Sequence, residues 1–420
     1  MQDNKMRKIL IINQYSENRG DRAVLNSLTR MLLKLNNEIV VSTKTPNNYR
    51  DYLFYHQNGI EFCNWGWDFS NSEDLSIFYR AINKIIKFIS LPILRINFRF
   101  FRSKFIVNAF SKNNFIKALE SADIVISTGG HHIATILDKD SINSQTVDIS
   151  SSLIYNKHTI LWSQTVGPLN FNSNLNKRFV ENILREVDEF VLRDFNTIKV
   201  LEDSGVSKNV ISNTKESVFY LNSLIKSYIK PSERKNTIGI SIYNVQNRSN
   251  KQKYQYINLI SNFADYCVNE YDLDIEFFPM ELKSTFTDDR VLLNQIFDKI
   301  ENKNRCFIHD KDYDTEDHLE KVSHCKYFVG HKTHSIIFAL TVGTPLISLA
   351  YHPKSTDFMS QFNLERFSIP DSELTISKLK KSFDELTVNI DNFGILTYNK
   401  SLDFSKLLIN DLKKVLAEND

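Results

Sequence analysis

The sequence predicts an α/β protein built from two doubly wound, Rossmann-like domains whose parallel sheets face a cleft. Short β-branched runs alternate along the chain with longer segments whose apolar residues recur at helical spacing. The alternation is interrupted by the proline- and charge-rich stretch SYIKPSERKN and resumes with TIGISIY. A length of 420 residues also exceeds what a single hydrophobic core usually holds. Strand–helix repetition on both sides of a linker therefore predicts two parallel-sheet units.

The first domain is predicted at residues 1–230. Its opening strand, KILIINQY, precedes a helix in DRAVLNSLTRMLLKL, and further strands are predicted in EIVVST, ADIVISTGG, HTILWSQTVG and EFVLRD. The second domain is predicted at 235–395, with strands in TIGISIY, DIEFFPM, RCFIHD, YFVGH and PLISLAY. Its helices are expected at Tyr254 to Glu270 and around Glu316 to His324. A C-terminal helix at 396–420 would pack back on the first domain.

Residues 70–117 are predicted to form an insertion in the first domain that is rich in aromatic and basic residues. Within it, the stretch Ile85 to Val107 mixes apolar side chains with Arg and Lys and contains no acidic residue. One interpretation is a basic amphipathic element that rests on a membrane surface, near lipid-linked substrates. The other is a helical insertion packed on the first domain, with its cationic side chains reaching outward to water. The sequence leaves both interpretations open.

Composition and charge exclude several classes of protein. The hydrophobic fraction is 42%, typical of a globular protein, and a formal net charge of +2 argues against nucleic-acid binding. The four cysteines lack metal-ligand spacing, so we expect buried free thiols in a reducing compartment. No apolar run reaches the length of a membrane span, and the start is too short in apolar residues for a signal peptide, which favours a cytoplasmic protein. No metal-binding pattern, GxGxxG or P-loop motif stands out.

Polar residues follow four predicted strands of the first domain. Ligands of parallel sheets bind beyond the carboxyl ends of the strands, so these positions are candidate substrate contacts. Asn18, Gly20 and Asp21 lie where the first strand gives way to a helix, whose N-terminus offers backbone N–H groups to an anion. Each position also has an ordinary interpretation as a turn, a helix cap or a surface ion pair. The other candidates are Gly129, Gly130 and His132 in STGGHH, Gln164 and Thr165 in SQTVGP, and Arg193 in LRD.

The second domain has its candidates in the stretch VGHKTHSIIFALTVGTPLISLAYHPK, where histidines and lysines flank an apolar β–α–β unit. Lys332, His334 and Ser335 fall between a predicted strand and the next helix, and Lys354 follows the next strand. A second segment, MELKSTFTDDR, supplies Glu281 and two aspartates. We expect the two aspartates to be solvated acids at a helix N-terminus.

The order of these motifs resembles that of the polysaccharide pyruvyl transferase family. The matching set is NRGD near the start, GG after a later strand, QTVGP, RD with a downstream GV, and finally HKTHS, GTP and AYHPK. It spans Asn18 to Lys354 and is weakest between Tyr49 and Ile116. The resemblance implies a GT-B-like fold and transfer of the pyruvyl group of phosphoenolpyruvate to sugar hydroxyls, usually as a cyclic ketal. Lys332 is a departure, because the family usually has arginine there.

The resemblance, together with the charge and proton chemistry of the candidates, suggests a role for each. His334 is the expected acid that protonates the methylene carbon of phosphoenolpyruvate, because an imidazole can be protonated near neutral pH. Lys332 and Arg193 would bind the carboxylate or phosphate of the donor, and Lys354 would reach the phosphate. The expected bases are Asp21 and His132, and the expected substrate contacts are Asn18, Gly20, Gly129, Gly130, Gln164, Thr165, Glu281 and Ser335.

The expected partners are phosphoenolpyruvate, as donor co-substrate, and a polysaccharide sugar or a lipid-linked oligosaccharide as acceptor, with no cofactor and no metal. Two alternatives stay open. A GT-B glycosyltransferase that uses a nucleotide sugar would need a ribose- and phosphate-binding arrangement in the second domain, which the sequence does not display. A non-catalytic glycan- or phosphate-binding protein could keep the same architecture without turnover.

Overall fold

The computed structural model divides the chain into two compact units. Unit 1 comprises Met1–Ser16, Val24–Glu216 and Asp411–Asp420, and unit 2 comprises Glu17–Ala23 and Ser217–Asn410. The described residues are 6–15, 18–49, 52–69, 77–128, 130–135, 139, 142–244, 248–282 and 288–417.

Unit 1 is built on a seven-stranded parallel sheet. Its strands are β1 (Lys8–Gln14), β2 (Glu38–Thr43), β3 (Glu61–Asn64), β4 (Ile124–Thr128), β5 (His158–Gln164), β6 (Glu189–Leu192) and β7 (Ile211–Asn213). The order β3-β2-β1-β4-β5-β6-β7 reverses the direction of winding between β1 and β4. The central strands are buried on both faces, which is why the sequence shows them as almost continuous apolar runs. Ligands of such sheets bind where the winding reverses.

Helices cover the sheet of unit 1, and residues 77–121, between β3 and β4, form a helical insertion. The helices are α1 (Arg19–Lys34), α2 (Leu53–Gln57), α3 (Ile77–Ile96), α4 (Lys104–Phe110), α5 (Asn113–Ser121), α6 (Ser144–Ile154), α7 (Asn174–Glu186) and α8 (Phe195–Asp203), with a π-helical turn at Asn97–Phe101 between α3 and α4. The first residues of α1, up to Ala23, belong to unit 2. Asp148 of α6 is fully buried and accepts hydrogen bonds from the backbone N–H groups of Gly66 (2.9 Å) and Trp67 (2.8 Å).

Unit 2 repeats the architecture with six parallel strands. They are β8 (Lys235–Ser241), β9 (Asp274–Phe277), β10 (Cys306–Ile308), β11 (Cys325–Gly330), β12 (Leu346–Ala350) and β13 (Ser368–Pro370). The order β10-β9-β8-β11-β12-β13 places the reversal of winding between β8 and β11. The helices are α9 (Asn250–Tyr271), α10 (Asp289–Phe297), α11 (Thr315–His324), α12 (Thr333–Val342), α13 (Pro353–Gln361), α14 (Ile376–Thr387) and α15 (Ile390–Ala417), whose last residues from Asp411 belong to unit 1.

The predicted class, two doubly wound α/β halves, is confirmed by these sheets. The stretch interpreted as a linker is packed into unit 2, where buried Arg234 donates to Thr344 Oγ1 over 2.7 Å and to Gly343 O over 3.1 Å. Of the four cysteines, three are buried and Cys306 is partly exposed, and all four are free thiols. Within the described ranges, each helix falls short of the length and hydropathy required to cross a bilayer.

Candidate active site

A buried lysine in unit 2 joins two carboxylates at the start of α12. Lys332 is the N-cap residue of that helix, and its side chain is 8% exposed. Its Nζ lies 2.8 Å from Glu281 Oε2 and 2.9 Å from Asp289 Oδ1. Because one ammonium faces two carboxylates, this trio has no surplus of positive charge with which to attract an anion.

The loop before α1 is joined to the same glutamate. Asn18 Nδ2 donates to Glu281 Oε1 over 3.2 Å, and the two residues form an antiparallel β-bridge. The backbone N–H of Arg19 donates to Met280 O over 3.1 Å. Both oxygens of Glu281 are therefore held, one by Asn18 and the other by Lys332. We call the following four residues the carboxylate cluster: Asn18, Glu281, Asp289 and Lys332.

Asp289 supplies the second carboxylate of the cluster from the first turn of α10. Its Oδ2 accepts the backbone N–H groups of Met280 (2.8 Å) and Glu281 (3.0 Å). Burial raises the pKa of Asp289, although the Lys332 ammonium opposes that rise. The prediction that both aspartates are solvated was wrong for Asp289, which is 3% exposed, because the lysine and these N–H groups replace water around it. Asp288 has the expected helix-capping position.

His334 lies in the first turn of α12, packed against the first turn of α1. A Cβ built on Gly20 would lie 2.1 Å from both Cγ and Nδ1 of His334, so the imidazole occupies the space that a side chain at position 20 would need. Asn18 Oδ1 accepts the backbone N–H of Gly20 over 2.7 Å and caps α1. The glycine of the NRGD motif therefore allows a close approach between helix and ring.

The neighbouring His331 is a structural residue. Its side chain is fully buried, and its Nδ1 is 2.8 Å from the hydroxyl of Tyr256. Burial, reinforced by the positive charges of Arg248 and Lys332, holds the pKa of His331 well below its usual range. The ring is therefore neutral at neutral pH and holds the end of β11 in place.

A second buried histidine, which the sequence analysis missed, contacts the NRGD motif. His318 Nδ1 is 2.7 Å from Arg19 Nη1, and Arg19 Nη2 donates to Lys311 O over 2.5 Å. Burial and the nearby arginine lower the pKa of His318 well below its usual range, so its neutral ring accepts the guanidinium N–H. The sequence indicated this contact only through Arg19, which lies between the predicted site residues Asn18 and Gly20.

The other predicted residues of unit 2 lie nearby along the chain but make different contacts. Ser335 is buried, and its hydroxyl donates to Lys332 O over 2.7 Å, so the side chain is turned away from solvent. Asp21 is half-buried in the first turn of α1. Lys354 is half-buried in the first turn of α13, and its backbone N–H donates to His352 Nδ1 over 3.2 Å.

In unit 1, Arg193 is buried among protein partners. Its side chain is 7% exposed and forms an ion pair with the fully buried Glu216. Its Nη2 donates to Gly130 O over 3.0 Å, and its Nε donates to Thr165 Oγ1 over 3.2 Å. Arg193 thus joins three of the predicted motifs, GG, QTVGP and RD. All three of its nitrogens make protein contacts, and its role as an anion-binding residue stays a prediction.

The turns around Arg193 are fixed by short polar contacts. Thr165 Oγ1 donates to Asp194 Oδ2 over 2.7 Å, and Asp194 caps α8 through the backbone N–H of Thr197 over 2.9 Å. Gly130 has a positive φ of 62°, and a Cβ there would lie 2.5 Å from Nε2 of His132. His132 therefore folds back over Gly130. Gly129 lies outside the described residues.

A buried polar cluster, largely missed by the sequence analysis, lies at the carboxyl ends of β1, β4 and β5. Asn13 Nδ2 donates to Ser127 Oγ over 2.5 Å, and Ser127 Oγ donates to Gln164 Oε1 over 2.9 Å. Gln164 was a predicted substrate contact, and it is fully buried. Four buried polar atoms here have no hydrogen-bond partner among the described residues: Asn13 Oδ1, Gln14 Oε1, Thr128 Oγ1 and Gln164 Nε2. The cluster lies where the winding of unit 1 reverses, which is the usual ligand-binding end of such a sheet.

Five of the predicted residues are therefore in one place in unit 2, and three are joined in unit 1. The unit 2 group offers an imidazole, a held carboxylate and the N-terminus of α12, a combination suited to proton transfer. No group of three or more possible metal ligands occurs in the described part of the chain. The unit 2 group is Asn18, Gly20, Glu281, Lys332 and His334, and the unit 1 group is Gly130, Thr165 and Arg193.

A family model described as polysaccharide pyruvyl transferase matches residues 18–353. The match begins at Asn18 and ends one residue before Lys354, so it contains the whole carboxylate cluster and His334. A search of curated proteins finds no significant match.

Solved structures that resemble this chain share its fold at low sequence identity. One is UDP-GlcNAc 2-epimerase from Neisseria meningitidis bound to UDP-GlcNAc, with 10% identity, 97% and 100% of the two chains covered, and a TM-score of 0.56. Another is Anabaena Alr3699/HepE in complex with UDP and glucose, with 10% identity, 98% and 99% coverage, and a TM-score of 0.55. A third, S. aureus MnaA with UDP, has 12% identity, 94% and 91% coverage, and a TM-score of 0.57. These similarities confirm the predicted GT-B-like fold.

Proposed function

Because the chain belongs to the polysaccharide pyruvyl transferase family, we propose that it transfers the pyruvyl group of phosphoenolpyruvate to a polysaccharide sugar or to its lipid-linked precursor. The observation that carries this proposal is the packing of His334 on Gly20 beside the carboxylate cluster. That arrangement fixes one proton-exchanging ring next to one held carboxylate, at the N-termini of two helices. The proposed location is the cytoplasm.

The proposed reaction balances without a cofactor. A proton adds to C3 of phosphoenolpyruvate, C2 becomes electrophilic, and a sugar hydroxyl oxygen bonds to C2 and loses its proton. A second hydroxyl of the same sugar then bonds to C2 as the C2–O bond to phosphate breaks. The products are a cyclic pyruvate ketal and inorganic phosphate, which carries away the second hydroxyl proton.

We assign the proton transfer to C3 to His334. Imidazole is the side chain that exchanges a proton most readily near neutral pH. The contact with Gly20 restricts where the ring can lie, and a positioned general acid contributes roughly 10² to 10⁴ in rate. The backbone N–H groups at the start of α12 favour a negative charge close to the ring.

We assign Glu281 to the acceptor sugar and Lys332 to positioning. The side chain of Glu281 is 18% exposed, so its carboxylate can reach a sugar hydroxyl while Asn18 and Lys332 hold it. Lys332 keeps the positive charge of the family's arginine, but its ammonium is committed to Glu281 and Asp289. Its expected effect is on the acceptor, through Glu281, rather than on the phosphate of the donor.

The test is phosphate release from phosphoenolpyruvate by the purified full-length protein, with a panel of hexose and N-acetylhexosamine glycosides as acceptors. We expect release that depends on the acceptor, with a product whose mass has increased by one pyruvyl ketal. His334→Asn should abolish release, and Glu281→Gln should raise KM for the acceptor more than KM for phosphoenolpyruvate. Release of UDP from UDP-sugars, with none of phosphate from phosphoenolpyruvate, would instead identify a glycosyltransferase. Binding of phosphoenolpyruvate without turnover on any acceptor would refute the enzymatic assignment.

A further inference from the structure

We propose that the helical insertion of unit 1 docks on an anionic phospholipid membrane through one exposed face. The face is formed by large apolar side chains of α3, the π-helical turn and α4, and we call it the docking face. Its members, with their exposed fractions, are Ile85 (57%), Phe88 (81%), Ile89 (51%), Ile93 (36%), Ile96 (49%), Phe100 (67%), Phe101 (67%) and Phe105 (81%).

The spacing of these residues shows that α3 has two apolar faces. One face is buried: Ser90 and Leu94 of α3 and Phe98 of the π-helical turn are at most 2% exposed and are four residues apart. The other runs through Ile85, Ile89, Ile93 and Ile96 in steps of three or four residues, with Phe88 beside Ile89, and continues to Phe100 in the π-helical turn. A helix that only covered its own domain would need the first face alone. The second face leaves a contiguous apolar surface of the kind that marks an interaction site.

The basic residues of the insertion indicate that the partner of the docking face is anionic. The segment Ile77 to Phe110 contains seven of the 52 basic residues of the chain and none of its 50 acidic residues. Arg99 is exposed and lies 5.1 Å from the ring centre of Phe100, so cation and aromatic ring are presented together. Lys84 and Lys87 are exposed residues of the same helix, and the Lys87 ammonium lies 5.4 Å from the ring centre of Trp67. Cations beside apolar side chains are the pattern of a helix that lies in the headgroup layer of an anionic bilayer.

A groove next to the docking face fits the same partner. It has a volume of about 320 Å³, and its walls include Ile96, Phe100, Leu175 and Phe179 together with the guanidinium groups of Arg99 and Arg178. Apolar walls with cations beside them match an acyl chain below a phosphate headgroup. A second copy of this chain is a poorer occupant, because the face would bring two basic segments against each other.

The test is flotation of the full-length protein with vesicles of phosphatidylcholine alone or of phosphatidylcholine with phosphatidylglycerol. We expect the protein to float with the anionic vesicles only, and to be released as salt screens the attraction. Phe88→Asp should weaken vesicle binding by about tenfold or more, because one large aromatic side chain leaves the bilayer. The matched control is Val388→Asp, which adds the same charge at a side chain that is 84% exposed in unit 2 and should float like wild type.

The outcomes separate this proposal from the pyruvyl transfer, on which it does not rest. Phe88→Asp should keep its urea unfolding midpoint and its phosphate release with a soluble acceptor, since its side chain lies on the surface. The proposal would be overturned if the wild-type protein stayed at the bottom of the gradient in the presence of anionic vesicles. Equal flotation of wild type and Phe88→Asp would overturn it as well. Sedimentation equilibrium that shows a dimer dependent on Phe88 would assign the face to a second copy instead.

Discussion

The contact between Gly20 and His334 makes a sharp prediction for Gly20→Ala. The added Cβ would lie 2.1 Å from Cγ and Nδ1 of the ring, whereas ordinary contacts begin near 3.4 Å, so the imidazole must retreat by about 1.3 Å. A misplacement of about 1 Å at a reacting group can cost roughly 100-fold in rate. We therefore expect Gly20→Ala to lower phosphate release by about 100-fold. Overpacking should also lower the free energy of unfolding by about 1–3 kcal/mol.

The assay pairs initial rates of phosphate release with urea unfolding of each variant. Gly59→Asn is the control, because nothing lies within 4 Å of a Cβ there and asparagine tolerates the positive φ of 64°. The double variant Gly20→Ala/His334→Ala removes the two closest ring atoms and leaves His334 Cβ at 2.6 Å. It should regain part of the lost stability but none of the rate. Wild-type activity and stability in Gly20→Ala would refute the packing described here and, with it, the restriction of the ring.

Three further predictions concern buried ionisable groups. Lys332→Met should lower the free energy of unfolding by about 3 kcal/mol, because it leaves buried carboxylates without their cation. In urea unfolding, the double variant Lys332→Met/Asp289→Asn should lose less stability than the sum of the losses in the two single variants. Burial raises the pKa of Asp148 from 3.8 to about 7, so its stabilising contribution is complete below about pH 4 and falls as the pH rises through 7. The free energy of unfolding should fall by about 1.4 kcal/mol per unit of pKa difference. This pH-dependent loss should be absent from Asp148→Asn but kept in the exposed control Asp403→Asn. The lowered pKa of His331 has the opposite effect: its stabilising contribution is present above pH 6.5 and is lost as the pH falls. The free energy of unfolding of His331→Gln should therefore decrease less than that of wild type between pH 7.5 and 5. An unchanged pH profile would contradict the burial of His331 as a neutral ring.

The strands of the two sheets could be predicted where they are central. KILIINQ and LISLA are buried on both faces, so their apolar runs identify them without knowledge of their neighbours. Among the edge strands, Cys306–Ile308 was predicted, but Glu61–Asn64, Ile211–Asn213 and Ser368–Pro370 were not, since three or four partly exposed residues carry a weak signal. α15 begins at Ile390, whereas the sequence analysis placed a C-terminal helix at 396–420.

The candidate site could be predicted only where it is local. Lys332 and His334 are two residues apart, so their shared helix end is visible in the sequence. Asn18 and Glu281 are separated by 263 residues, and no pattern in one chain pairs them. The pairing of Arg19 with His318 was missed for the same reason, over 299 residues. A buried polar residue such as Asn13 looks like an ordinary strand end in the sequence. Only the fold shows that it lies next to the polar residues of neighbouring strands.

The helix α1 has a practical consequence for anyone who dissects this protein. Its first five residues belong to unit 2, whereas the rest of the helix belongs to unit 1. A recombinant fragment that starts at Ser217 would include Glu281, Lys332 and His334 but would lack Asn18, and His318 would lose the guanidinium that it contacts. Separate expression of the halves therefore yields neither a complete carboxylate cluster nor a fair negative control. A peptide of residues 17–34, added back to the fragment, would supply Asn18 and Arg19.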